Sequence, residues 1–378
     1  MHVGKSKNLC PDLYIDEWKL LKKNELETGF DKLEAKLGDE VMMEKVHQDK
    51  YLGDIIAADG TNERNIQARK EKGFGNIDQI MNIFRDYSFG PYYFLVAVMF
   101  RNSMLVNSVL CNSEVWYNLS ETNLSQLEAI DENLLRRIFE TGGKTPKAML
   151  YLELGIYPIR FIIQNRRVMY LHYLLTNKNI LPYRFFQAQQ SNPCKGDWSE
   201  TVKNDLSELD LTLSHDEISK MSKARFQTLV KERIRKIAFA YLVKKKEKNK
   251  ETSKTKDIIY KSLEIQPYLL PNQMSTNSSD STQLCKFTFS LRCRMVRVKE
   301  NYKSSNESLT CELCNSHIDS QKNLLTCKAL TNDNSIVATP PDYEDLFCCD
   351  PEKQLSLAIL LREKFKMRKD KINKKGDH

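Results

Sequence analysis

Apolar and polar positions change their period twice along this chain. Up to residue 58 the apolar pieces are short: Leu13-Tyr14-Ile15 is strand-like, residues 19–40 are a charged insertion, and Lys50-Tyr51-Leu52-Gly53-Asp54-Ile55-Ile56 is a β-type run ended by the turn Asp59-Gly60. From Asn62 a helical period takes over, with Ile66, Ile77, Ile80, Met81 and Phe84 on one stripe and a break at Gly90-Pro91. Residues 92–119 predict one long helix, apolar on most faces but carrying Arg101, Asn102, Asn107 and Asn112. Thr122 suits the N-cap of the next, in which Leu124, Leu127, Ile130, Leu134 and Ile138 recur three and four apart until Gly142-Gly143.

Pro146 suits the first turn of a short helix through Leu154 with Gly155 as its C-cap, and Pro158 opens another that runs to about residue 177. Ser214-His215-Asp216-Glu217 has capping-box spacing, and a helix from Ser222 merges into a lysine run. Residues 257–283, rich in Ser, Thr and Asn toward their end, read as a linker. A basic helix, a cysteine-bearing segment and a last amphipathic helix over residues 351–371 follow. The pattern predicts a mainly α chain in three parts: a small N-terminal β element (1–58), a helical bundle (59–256) and a small C-terminal cysteine-containing module (284–378).

Composition supports this reading. The 378 residues are 41% hydrophobic and 29% charged with only 13 Gly and 11 Pro, which excludes collagen-like and disordered classes and disfavours a sandwich. The longest apolar stretch, residues 92–100, falls well short of the roughly 20 residues needed to cross a bilayer. No apolar leader follows Met1, so an intracellular protein, cytoplasmic or nuclear, without a membrane partner is expected. Charge changes the picture once it is located. Residues 244–256 and residues 362–378 each carry +5 of a net +8, leaving a body of −2. Such runs are solvated helix ends and linkers, or contacts for a phosphate backbone.

The most chemical string is Cys311-Glu312-Leu313-Cys314, followed by His317 and Cys327. A Cys-x-x-Cys turn sets two thiolates on one side of a tetrahedral zinc, and ligands a short loop away close the shell. The loop supplies one further thiolate and one nitrogen, with Cys348-Cys349 beyond; the alternative is unligated cysteines in a small core. Gly143-Lys144-Thr145 is not a phosphate-binding loop, because Ile138 stands where that motif needs glycine. His172, on an apolar helix, reads as a satisfied core or rim residue. No Asp-Asp dipeptide occurs, so the adjacent carboxylates that hold two catalytic metal ions in polymerases are absent from the sequence.

Several strings together resemble the C-terminal part of a non-LTR (LINE-like) retrotransposon reverse transcriptase: Lys50 to Ile56, Asn65-Ile66-Gln67-Ala68-Arg69-Lys70, Asn112 to Leu119, Leu134-Leu135-Arg136-Arg137-Ile138 and Met149 to Gly155. The likeness implies a palm-edge remnant with a primer-grip-like hairpin at Tyr51, Leu52 and Gly53, a thumb-like helical body, and a terminal zinc-knuckle module. It implies an RNA or RNA–DNA duplex as partner, contacted by Lys244, Lys245, Lys246, Lys248, Lys250, Arg292, Arg294 and Arg297, and an intact copy of the enzyme as a second partner. The expected fragment has no catalytic residue and no magnesium site, since the aspartates are missing. In the knuckle, Asn323 stands where the family has histidine, so the zinc set becomes Cys311, Cys314, Cys327 and a displaced His317. The alternative is a helical protein-interaction module or a relic of a mobile element.

Overall fold

A computed structural model describes residues 7–8, 35–36, 42–45, 48–51, 54–57, 61–247, 258–271, 278–302, 308–330, 342–348 and 350–376. The N-terminal element is β, as its pattern predicts. Strands β1 (Lys7–Asn8), β2 (Ala35–Lys36) and β3 (Met42–Lys45) form a small sheet in the order β1-β3-β2. Strands β4 (Gln48–Tyr51) and β5 (Asp54–Ala57) form an antiparallel hairpin in which Tyr51 pairs with Asp54. Leu52 and Gly53 lie outside the described residues, as do Leu13 to Ile15.

Helices then dominate: α1 (Glu63–Asp86), α2 (Tyr93–Phe100), α3 (Glu121–Ile138), α4 (Lys147–Leu154), α5 (Ile159–Thr176), α6 (Leu181–Ser191), α7 (Trp198–Glu208), α8 (His215–Lys220), α9 (Lys223–Glu247), α10 (Ser278–Arg292), α11 (Gln321–Thr326) and α12 (Pro351–Gly376). They divide into two compact units. One comprises residues 1–76, 105–130 and 163–226; the other comprises 77–104, 131–162 and 227–378.

Where the chain leaves α2 and enters the first unit, arginines decide where helices stop. The single helix expected over 92–119 ends early: after α2 come a π-helical turn (Arg101–Val106), a short turn (Asn107–Val109) and a left-handed Asn112 at φ 61°. The carbonyls that a continuing helix would use are taken, because Arg69 donates to Ser108 O (3.1 Å) and Cys111 O (3.3 Å), and Arg166 to Leu110 O. Asp54 of β5 accepts from Arg69 (2.5 Å), Asn65 (3.0 Å) and Asn112 (2.5 Å), tying the hairpin to α1. Arg167 makes a two-pronged pair with Asp205 at 2.6 and 2.8 Å, in which burial nevertheless raises the carboxyl pKa. His172 is a core residue, its Nε2–H donating to Met221 O at 3.0 Å and its ring stacked on Phe226.

The cap expected at Thr122 sits two residues earlier: Ser120 Oγ accepts the Asn123 amide, and α3 starts at Glu121. The Ser214–Glu217 capping box and the left-handed Gly155 C-cap are both present.

The second unit is built on aromatic and polar centres. Phe139 stacks on Phe289 at 3.9 Å and packs against Phe94. Every residue of α4 but its first is buried, Glu153 included. Glu153 accepts from Tyr260 (2.5 Å), Tyr268 (3.0 Å) and Arg292 (2.9 Å). Tyr260, Leu263, Tyr268 and Leu269, inside the stretch expected to be a linker, are therefore packed core residues.

Candidate metal centre

The C-terminal module starts with two short extended segments. Thr310 bridges Ile318, Cys311 N–H donates to His317 O (2.8 Å) and Asp319 N–H to Leu309 O (2.7 Å). Between them Cys311-Glu312-Leu313-Cys314 makes a tight turn. It closes with Asn315 N–H donating to Cys311 O (2.9 Å) and Asn315 at φ 51°, a left-handed position that Asn tolerates well. Ser320 then caps α11, its hydroxyl accepting the Asn323 amide at 3.0 Å, and Cys327 follows the helix with its N–H on Asn323 O (2.8 Å). The turn and the helix end so bring three sulfurs together: the Sγ atoms of Cys311, Cys314 and Cys327 all lie within 4.8 Å of one another. Tetrahedral zinc, with Zn–S of about 2.3 Å, needs sulfurs about 3.8 Å apart, so this spacing requires only a small contraction.

The surroundings favour a thiolate. The hydroxyl, ring and amide groups of Ser316 and His317 beside Cys314 favour its charged form and hold its thiol down at about 5. Burial, with the neighbouring cysteines, pushes the Cys327 thiol up to about 11. Cys311 and Cys327 are buried, whereas Cys314 is partly open to solvent. Zinc would displace the remaining protons, and a shell shared by the turn and α11 would staple them together.

No protein-family model, curated protein or solved structure matches the chain. The reverse-transcriptase likeness rests on the quoted strings alone. The site does not include Asn323 as a chemically suitable ligand: its side chain is buried, its Oδ1 has no hydrogen-bond partner, and amide oxygen is a poor partner for zinc among thiolates. Cys348 is elsewhere engaged, its thiol donating to Asp345 O at 2.9 Å, and Cys349 lies outside the described residues.

The module is anchored by Asp319, which is 1% exposed and accepts from the Lys299 amide (3.0 Å) and Arg368 (3.1 Å). Four cations of the basic tail serve this unit itself. Arg368 serves Asp319, Arg362 pairs with Asp280 at 2.7 Å, and Lys364 and Lys371 donate to the carbonyls of Leu330 and Ala329. These cations hold α12 onto its own unit.

The expected nucleic-acid contacts separate into three groups. Lys244 and Lys245 are exposed near the end of α9, Lys245 resting over the Tyr241 ring, and Arg297 is exposed and Arg294 half-buried. Lys248 and Lys250 lie outside the described residues. Lys246 and Arg292 are corrected, because both are buried and engaged. Lys246 ends a buried ridge at four-residue spacing (Phe226, Val230, Ile234, Ala238, Leu242) and donates to Ile258 O. Arg292, at 2% exposure, faces Glu153. Its partner carried a signal in the sequence: Glu153 is the lone acid in the apolar run Met149-Leu150-Tyr151-Leu152-Glu153-Leu154, and an acid so placed needs a buried cation.

Proposed function

We propose that this chain is a helical protein-interaction module whose C-terminal part is held by a zinc ion on Cys311, Cys314 and Cys327. The observation that carries the interaction role is helix α2. Its sequence, Tyr-Phe-Leu-Val-Ala-Val-Met-Phe, has no polar residue on any face, the composition of a helix buried all round. Yet Tyr92, Leu95 and Met99, one stripe at i, i+3 and i+7, are 56, 37 and 54% exposed, and Tyr87 just before them is 65% exposed. An apolar stripe left open on an otherwise core-like helix is a surface awaiting a cover. Zinc would act structurally, and no helix among the described residues is long and apolar enough to cross a membrane.

Light scattering of the full chain tests the stripe. The wild type is expected to show a mass above that of one chain, growing with concentration, and Leu95→Glu with Met99→Glu is expected to return it to one chain. A monodisperse single chain at all concentrations would count against the proposal.

Nucleic acid is the second reading, favoured by one observation: α9 carries nine basic residues against two acidic ones, with Lys244 and Lys245 exposed. Filter binding to RNA and RNA–DNA duplex at two salt concentrations discriminates. Retention that falls with salt and weakens in Lys244→Ala/Lys245→Ala makes nucleic acid the partner; salt-independent or absent retention removes it.

A further inference from the structure

Three thiolates leave one corner of a tetrahedron to fill, and two residues of the module compete for it. We infer that His317, through Nε2, is the fourth ligand, giving a Cys3His site in the order Cys311, Cys314, His317, Cys327. The inference rests on the zinc reading above and adds the ligand that completes it.

The first support is register. Thr310 bridges Ile318 in an antiparallel pair, so Cys311 and His317 stand directly opposite each other, and the Cys311 amide bonds the His317 carbonyl at 2.8 Å. Opposed residues in an antiparallel pair project their side chains to the same face, with Cβ atoms about 4.5–5.5 Å apart. The face that carries the Cys311 sulfur into the cluster therefore carries the imidazole as well. The second support is position, since His317 follows Cys314 by three residues on the segment that leaves the turn and pairs back onto Cys311.

The third support is the outer partner. Ser316 Oγ lies 2.8 Å from His317 Nδ1. A histidine that binds metal through one nitrogen ordinarily gives the N–H of the other to an acceptor, which sets the tautomer and aims the ring. With Nδ1–H donated to the Ser316 hydroxyl, the Nε2 lone pair is the one left for the metal. The ring is not within ligating distance of all three sulfurs as it stands, but His317 is exposed and its side chain can turn without disturbing the core. Asn323 is the competitor, with its buried, unpartnered Oδ1 four residues before Cys327. Donor chemistry decides against it, because zinc in a thiolate shell takes sulfur or imidazole nitrogen.

The experiment is titration of the metal-free full chain with Co²⁺ alone, followed by displacement with Zn²⁺, for the wild type, Cys314→Ser, His317→Ala and Asn323→Ala. The wild type is expected to develop thiolate-to-cobalt charge-transfer absorption with the intense visible bands of a tetrahedral site. His317→Ala should bind Co²⁺ at least about tenfold more weakly and shift the visible bands, since one protein ligand is lost. Asn323→Ala should match the wild type in both. A His317→Ala spectrum and affinity equal to the wild type, or a loss in Asn323→Ala instead, overturns the assignment of His317 while leaving the thiolate site standing. Charge-transfer absorption missing from the wild type, or undiminished in Cys314→Ser, overturns the zinc reading itself and the inference with it.

Discussion

Replacing Arg292 by Met is expected to cost about 3–5 kcal/mol of stability, the magnitude for breaking a buried ion pair by removing one partner. Arg292 and Glu153 are 2 and 0% exposed at their side chains, and Nε lies 2.9 Å from Oε1. Burial works against the guanidinium charge, but the Glu153 carboxylate more than offsets it and raises the Arg292 pKa. Both phenols are pushed up by burial and by the Glu153 charge, so they remain neutral donors to the carboxylate. Without Arg292 the carboxylate keeps two hydrogen bonds but loses its counter-charge, and Leu346 O loses the donor now at 2.7 Å. Urea unfolding of the full chain measures the loss. The double variant Arg292→Met with Glu153→Gln should recover part of it, because the uncompensated charge is gone while an acceptor remains for the Tyr260 and Tyr268 hydroxyls. If Arg292→Met shifts stability by less than about 1 kcal/mol, the pair is not the anchor described. The same variant separates the two roles considered for Arg292, since a phosphate contact at the surface would change salt-dependent binding and leave stability nearly untouched.

Gly155→Ala is the second large effect. Gly155 ends α4 at φ +62°, and a Cβ there would stand 2.2 Å from the backbone C of Glu264 and 2.2 Å from the backbone N of Ile265. Neither atom can turn away as a side chain could. Leu154 bridges Ile265, and Gln266 N–H donates to Glu153 O at 2.8 Å, so the segment is held against the helix end. The left-handed conformation costs an L-residue about 1–2 kcal/mol, and overpacking about 1–3 more. A loss of about 3 kcal/mol is expected in the urea midpoint, together with weakening of the Glu153 centre next to it. Gly143→Ala is the control: its Cβ would meet nothing within 4 Å, and a change of no more than about 0.5 kcal/mol is expected. Equal effects in the two variants would refute the close approach at Gly155.

Both predictions depend on residues whose presence was plain in the chain and whose meaning was not. Gly155 could be read as a helix C-cap, because an apolar periodic run followed by Gly is a local signal. That residues 264 and 265 would lie against its Cα could not be read, since contact between segments more than a hundred residues apart leaves no local trace. Arg292 shows the same division. As part of a basic helix it fitted a phosphate-binding surface, and only packing turned it inward to Glu153. The basic tail of α12 shows a related limit: charge counts do not show which cations have carboxylates and carbonyls within reach. The break after α2 was hidden too, because Arg69 and Arg166 cap those carbonyls from other helices.

At the candidate site the division falls between residue type and register. Cys-x-x-Cys spacing, a third cysteine after a short helix and a histidine nearby were legible, because a turn brings thiols at i and i+3 together whatever surrounds it. Which face His317 shares was decided by the pairing of Thr310 with Ile318, which sets it across from Cys311. Periodicity and caps set out a mainly helical chain behind a small β element, since those signals act within a few residues along the backbone. Burial of Arg292, Glu153 and Lys246 and exposure of the α2 stripe came from packing, in which one side chain's environment is made by segments far away in sequence.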